Sequence, residues 1–226
     1  MGPDVKGDAV PAKRTRREQA QDTRVRIMRA AQTVFAEKGY SGARMADIAR
    51  EAGVAVQTVY FAFHTKPELV QACYEHAVLG PDELPPHLQP WYAHAMAARS
   101  GSAVVEVFAR GNAAILERVA LIDDIARSAP HEPEVAEVRE RSEDLRRDGY
   151  RTILGRIEER FGLREGMALE RAVDVVMSLA GQQVYLQLRS YGWTHEAYVA
   201  WSTAMLQEQL LRPRGGRRRS ADSSPD

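Results

Sequence analysis

Between Met45 and Leu69 the sequence reads MADIAREAGVAVQTVYFAFHTKPEL, and no other stretch of the chain limits the fold so tightly. Met45, Ile48, Ala49 and Ala52 recur at intervals of three and four, the spacing of one buried helical face. Gly53 stands where that helix must stop, because a left-handed backbone costs glycine almost nothing. Val54 then returns to the core, and a second helix starts near Val56. In it Val59 and Phe63 face inward, which leaves Val56, Gln57, Thr58, Tyr60 and Phe61 on the open side. A short helix showing amide, hydroxyl and aromatic groups behind a glycine turn has the form of a helix-turn-helix, whose second helix enters the major groove of a duplex.

With 226 residues the chain holds one large domain or two small ones. No apolar run reaches the roughly 18 residues of a membrane span. The basic start lacks an apolar stretch after its charges, so it does not read as a secretory signal. The single cysteine, Cys73, excludes an internal disulfide and suits a reducing cytoplasm. Cys73 and His76 alone do not make a metal site, and no cofactor is expected. The net charge of zero conceals an asymmetry: residues 1–80 carry +3, residues 81–211 carry −6 and residues 212–226 carry +3. A basic N-terminal segment suits a polyanion at that end only.

Elsewhere the pattern is helical, with no competing strand signal. Residues 1–21 read as a disordered basic arm, and the first helix is expected after Asp22 or Thr23 with Ile27, Ala30, Ala31, Val34 and Phe35 on its apolar face. Gly39 ends it. A fourth helix runs from Lys66 to about Val78. Prolines 81, 85, 86 and 90 mark a boundary, so residues 22–79 form one unit and residues 80–211 a larger helical one. The larger unit is expected to hold helices at about 102–127, 134–161 and 168–189 and a last one after Thr194. The tail from residue 212 reads as disordered.

Phe35, Glu37, Gly39 and Tyr40, then Asp47, Ile48, Ala49, Ala52, Gly53 and Val54, then Thr58, Val59, Tyr60, Phe63, Lys66 and Leu69 resemble the DNA-binding domain of the TetR family of bacterial transcriptional regulators. The resemblance implies an all-α protein: an N-terminal three-helix DNA-binding domain followed by a larger helical domain for ligand binding and dimerisation. It implies that Thr58 and Tyr60 bring hydroxyls to phosphate or bases, and that Lys66, beside Thr65 at the next helix start, clamps a phosphate. Such contacts position a protein without reading sequence. Gln57 is suited to a bidentate contact with adenine and Val56 to a thymine methyl. Arg44 replaces the hydroxyl usual at the start of the second helix, exchanging a cap for a cationic contact. Tyr60 has an alternative as an ordinary half-buried aromatic, Lys66 as a solvated helix-start lysine, and Phe61 is open between DNA contact and packing. Lys13, Arg14, Arg16 and Arg17 are either a solubilising tail or a minor-groove arm.

The 168–189 segment is apolar over most of its circumference and needs cover on every side, which a homodimer through the last two helices supplies. Trp91, Phe108, Asn112 and Tyr150 are candidates for an effector pocket. Asn112, spaced four from Phe108 on an inner stripe, has as its alternative a partner within the protein. Adjacent acids such as Asp123 and Asp124 diverge on a helix and cannot share a substrate, and no serine elbow, phosphate-cradling loop or His/Cys cluster is present, so an enzyme is excluded. The reading is a cytoplasmic regulator of double-stranded DNA, a dimeric repressor released by an unknown small molecule, with no membrane partner. Its alternative is an activator or architectural DNA-binding protein without an effector.

Overall fold

The computed structural model describes residues 15–212, and in them ten α-helices follow one another without a strand. The first four are α1 (Arg16–Gly42), α2 (Met45–Ala52), α3 (Val56–Ala62) and α4 (Lys66–Leu79). A 3-10 turn at Pro86–Leu88 leads into α5 (Pro90–Ala97), and α6 (Gly101–Arg127) and α7 (Pro133–Phe161) are the two long helices. The chain closes with α8 (Leu169–Leu179), α9 (Gln182–Ser190) and α10 (His195–Leu210).

Three departures from the sequence reading have local causes. Helix α1 begins at Arg16, well inside the segment expected to be disordered, because Thr15 and Glu18 form a reciprocal capping box there. Arg16 and Arg17 therefore belong to a helix, whereas Lys13, Arg14 and the tail from 213 lie outside the described residues. Helix α5 was hidden by the proline cluster. Pro90 stands in its first turn, where a missing N–H is no loss. The expected 168–189 helix is two helices, broken at Ala180–Gly181. A Cβ on Gly181 would lie 2.7 Å from the Met177 carbonyl oxygen. The break frees the Ala180 carbonyl, which accepts a hydrogen bond from Asn112 Nδ2 at 3.0 Å.

Two apolar clusters organise the molecule, and α6 serves both. One joins Ile27, Phe35, Ile48, Val59 and Leu69 of the first four helices to Leu116, Val119 and Ile122 of α6. The other packs Val104, Val105 and Phe108 of α6 against Tyr150, Ile153 and Leu154 of α7, Val173 and Val176 of α8, and Leu206 and Leu210 of α10. The first cluster runs unbroken across the proline-rich segment, so α1–α4 rest on the larger helical unit through a shared core. The junction is also polar. Arg118 Nε donates to the Ala77 carbonyl at 2.7 Å, and Gln89 Nε2 donates to the Leu84 carbonyl at 2.8 Å and the Leu79 carbonyl at 3.2 Å. These side chains satisfy the carbonyls that the last turn of α4 leaves open.

Candidate nucleic-acid interface

The turn between α2 and α3 has the geometry its sequence demands. Gly53 takes the left-handed conformation (φ 63°, ψ 40°), and Val54 N–H donates back to the Ala49 carbonyl at 3.0 Å. Val59 is fully buried and Phe63 nearly so, which fixes one side of α3 against α1 and α2. The opposite side is open: Gln57 is exposed, Tyr60 is 49% exposed and Phe61 is 88% exposed. An aromatic ring left in water at that level has no role in the core of this chain, and Phe61 is thus not a packing residue of the described fold. Val56 and Thr58 are only half exposed, and Val56 packs against the core cluster, so the open face is narrower than expected.

Arg24 was missed in the sequence. From α1 its Nη1 donates to the Ala62 carbonyl, at the C-terminal end of α3, and its guanidinium lies 4.1 Å above the Phe63 ring. A cation at that end complements the helix dipole, and the contact sets the tilt of α3 on its support. Nothing in the spacing of Arg24 distinguishes it from its exposed neighbours Arg26 and Arg29.

Lys66 has close partners inside the chain. Its Nζ donates to the Tyr40 carbonyl at 2.9 Å and the Ala43 carbonyl at 3.3 Å, and it lies 4.1 Å from the centroid of the Tyr40 ring. Burial lowers its pKa below the ordinary lysine value. Tyr40 is raised to about 12, chiefly by its own burial. The solvated-lysine alternative therefore fails, and the ammonium ties α4 to the end of α1 with at most one N–H left for an outside acceptor. Lys66→Met is expected to lower stability by about 1.5–3 kcal/mol through the lost charge-assisted hydrogen bonds, as thermal or urea unfolding would show.

Around α3 the remaining candidates are exposed or capping residues. Thr65 caps α4, its hydroxyl accepting from Glu68 N–H at 3.2 Å, which leaves its own proton free to donate. Arg44 caps α2 in backbone only and its side chain is exposed. Asp47 is bound by Lys38 at 2.9 Å and Arg50 at 2.7 Å, and the hydrogen bond from Lys38 holds its carboxyl below the usual range.

Behind this face, a cavity of about 750 Å³ lies between α4, α5, α6 and α7. Trp91, Phe108, Asn112 and Tyr150 all line it, together with Tyr74 and Val78 of α4. Phe108 stands edge-on to Tyr150 with ring centroids 5.2 Å apart. Trp91 packs directly on Gly111, where an added Cβ would fall 2.2 Å from the indole, so only glycine admits the ring. Asn112 has found its partners within the protein: it donates to the Ala180 carbonyl and accepts from Tyr150 Oη at 2.6 Å. A second polar chain crosses the wall. Gln182 Nε2 donates to Tyr74 Oη at 3.1 Å, and Tyr74 donates to Asp123 Oδ1 at 2.9 Å, linking α9, α4 and α6.

Asp123 is 4% exposed, and burial raises its pKa, opposed by the hydrogen bond from Tyr74. A raised native pKa means that the folded chain binds this proton more tightly than the unfolded one. The contribution is complete below the ordinary value of 3.8 and is lost as the pH climbs through the native value. Asp123→Asn is expected to remove that fall, so that thermal melts of the variant and the parent diverge from acid toward neutral pH.

Residues 27–73 match the sequence profile of the bacterial regulatory proteins of the tetR family. That match covers the helix-turn-helix segment and the helices on either side of it, and marks this part of the chain as tetR-like. Among curated proteins, the HTH-type transcriptional regulator TtgR of Pseudomonas putida is 44% identical over 59 residues, 26% of this chain and 28% of TtgR. The regulator CymR of Pseudomonas putida is 42% identical over 65 residues, 29% of this chain and 32% of CymR. These alignments thus span about a third or less of the relatives they match. Two solved structures extend the likeness over nearly the whole fold. The fatty acid degradation regulator FadR from Bacillus halodurans superposes with a TM-score of 0.69 over 91% of this chain and 98% of its own, at 16% identity. NalD, the secondary repressor of the MexAB-OprM multidrug efflux pump in Pseudomonas aeruginosa, gives 0.65 over 86% and 98%, at 20% identity. At such identities the likeness establishes the tetR fold alone, all-α with an N-terminal helix-turn-helix and a larger helical domain. Among the described residues no helix is long and apolar enough to cross a membrane, and no group of three or more His, Cys, Asp or Glu is placed to hold a metal.

Proposed function

We propose that the chain is a cytoplasmic transcriptional repressor that binds a pseudo-palindromic operator as a homodimer and releases it when a small molecule fills the α4–α7 cavity. The observation that carries the DNA reading is one seven-residue helix anchored by buried Val59, and by Phe63 just past its end, that leaves Gln57, Tyr60 and Phe61 exposed on its other side. In this reading Gln57 reads a base edge in the major groove, Tyr60, Thr58 and Thr65 donate hydroxyls, and Lys66, Arg44 and Phe61 lie along the phosphate backbone.

Helix α4 supports the coupling between DNA and ligand. Its first residue, Lys66, is tied to the end of α1, while Gln71, Tyr74, Glu75, Val78 and Leu79 along the same helix face the cavity. A ligand that displaces this wall moves the support of α3, and the free-energy difference it makes between the two placements of α4 sets the loss of DNA affinity. FadR and NalD, named for fatty acid degradation and an efflux pump, are consistent with regulation of this kind.

Half-buried apolar residues on the last helices favour a two-fold partner. Val175 and Leu179 of α8, Leu186 and Leu188 of α9, and Trp201 of α10 each keep part of their surface uncovered in the single chain. A copy packed there covers them in a helix-on-helix interface, placing two α3 helices one or more duplex turns apart, roughly 34–36 Å or a multiple. Sedimentation of the chain with an operator selected from random duplexes, repeated across a metabolite library, tests the whole reading. The expected result is two chains per operator and release by at least one compound class. A single chain per operator would overturn the dimer, and binding indifferent to every compound would favour the activator or architectural alternative.

A further inference from the structure

The cavity is lined by a cation whose buried donors lack an acceptor. Arg146 of α7 lines it, and its Nε and Nη1 are both buried with no hydrogen-bond partner. Among the described residues Arg146 forms no close ion pair, although its charge reaches Asp123 across the cavity wall, and three acids of the lining and its surroundings have nearer partners. Asp123 accepts from Tyr74, Glu75 from Gln71, and Asp148 pairs with Arg151. The guanidinium lies 6.0 Å from the Tyr150 ring, beside the aromatic and aliphatic lining made by Trp91, Phe108, Ile115 and Leu116. Two guanidinium nitrogens held out of water without an acceptor are costly, and an acceptor that arrives with the ligand removes the cost.

Resting on the reading of this cavity as the effector site, we propose that the effector is an organic anion, an acidic head on an apolar body, and that Arg146 receives the head. The apolar lining takes the body, and the charge-assisted hydrogen bonds to Nε and Nη1 select for a carboxylate or sulfonate over a neutral molecule of the same shape. Asn112, already bound on both its amide atoms, does not take part in this selection.

Two fluorescent probes that differ by one group make the test. Anilinonaphthalene-sulfonate carries a sulfonate, and N-phenyl-1-naphthylamine is the same skeleton without it. Both are titrated into the full chain, into Arg146→Met, into Arg146→Lys and into Ile115→Trp, which fills the cavity, with circular dichroism showing that each variant is folded. The expected result is a loss of about tenfold or more in affinity for the sulfonate in Arg146→Met, with the neutral probe unchanged. Part of that affinity returns in Arg146→Lys, and both probes weaken in Ile115→Trp. If Arg146→Met shifts both probes equally, or neither, the anion preference is wrong while the cavity stands, and water answers the guanidinium. If neither probe binds the parent chain, or Ile115→Trp leaves both untouched, the effector-site reading fails and the proposal falls with it.

Discussion

Replacing Gln57 and Tyr60 together by alanine is expected to leave the melting temperature unchanged and to weaken operator binding by about 3 kcal/mol or more. Neither side chain is buried in the fold, so truncation opens no cavity in the core. A bidentate amide–adenine pair is worth roughly 1–3 kcal/mol of discrimination, and a hydroxyl donated to a phosphate roughly 1.5–3 kcal/mol. The two losses differ in kind. Removing the amide relaxes preference at one base pair and leaves random-sequence binding intact, whereas removing the phenol weakens cognate and random duplexes alike. Fluorescence anisotropy with selected and scrambled duplexes at several salt concentrations separates them. Equal losses of Gln57→Ala on both duplexes would sink the assignment of that residue to a base.

Phe35→Ala is expected to destabilise the DNA-binding unit by about 3–5 kcal/mol, as measured by denaturant unfolding. Phe35 is 1% exposed and stacks on Tyr40 with centroids 5.8 Å apart, and Tyr40 in turn carries the Lys66 ammonium on its ring. Deleting the phenyl therefore removes the floor of a three-residue stack joining α1 and α4. Because marginal stabilities of whole domains are about 5–15 kcal/mol, this one change takes a large part of the total. Thermal melts of the variant are expected to show the first four helices failing at a lower temperature and DNA binding failing with them.

Much of this organisation was legible in the residues because it depends on local rules. Apolar spacing at three and four placed α2 and α3, and a glycine at the one position that needs a positive φ marked the turn between them. Thr194 announced a helix start by its capping chemistry and accepts the expected backbone N–H. What escaped notice depends on groups far apart in the chain. The capping of α3 by Arg24, the grip of Arg118 and Gln89 on the end of α4, and the unmatched guanidinium of Arg146 have no periodic signature. Each is a single polar side chain whose meaning comes from a carbonyl or a void supplied by another helix. The break at Gly181 escaped for a related reason, since the neighbouring apolar residues on both sides continue one helical pattern while Asn112 holds the open carbonyl between them.

The most direct measurement of how α3 meets a duplex is dimethyl sulfate protection on a selected operator. The reagent methylates guanine N7 in the major groove and adenine N3 in the minor groove. The prediction is protection of guanine N7 in two patches one or more helical turns apart, roughly 34–36 Å or a multiple, lost when Gln57 and Tyr60 are replaced by alanine. Protection confined to adenine N3, or a pattern that the double variant leaves intact, would contradict it.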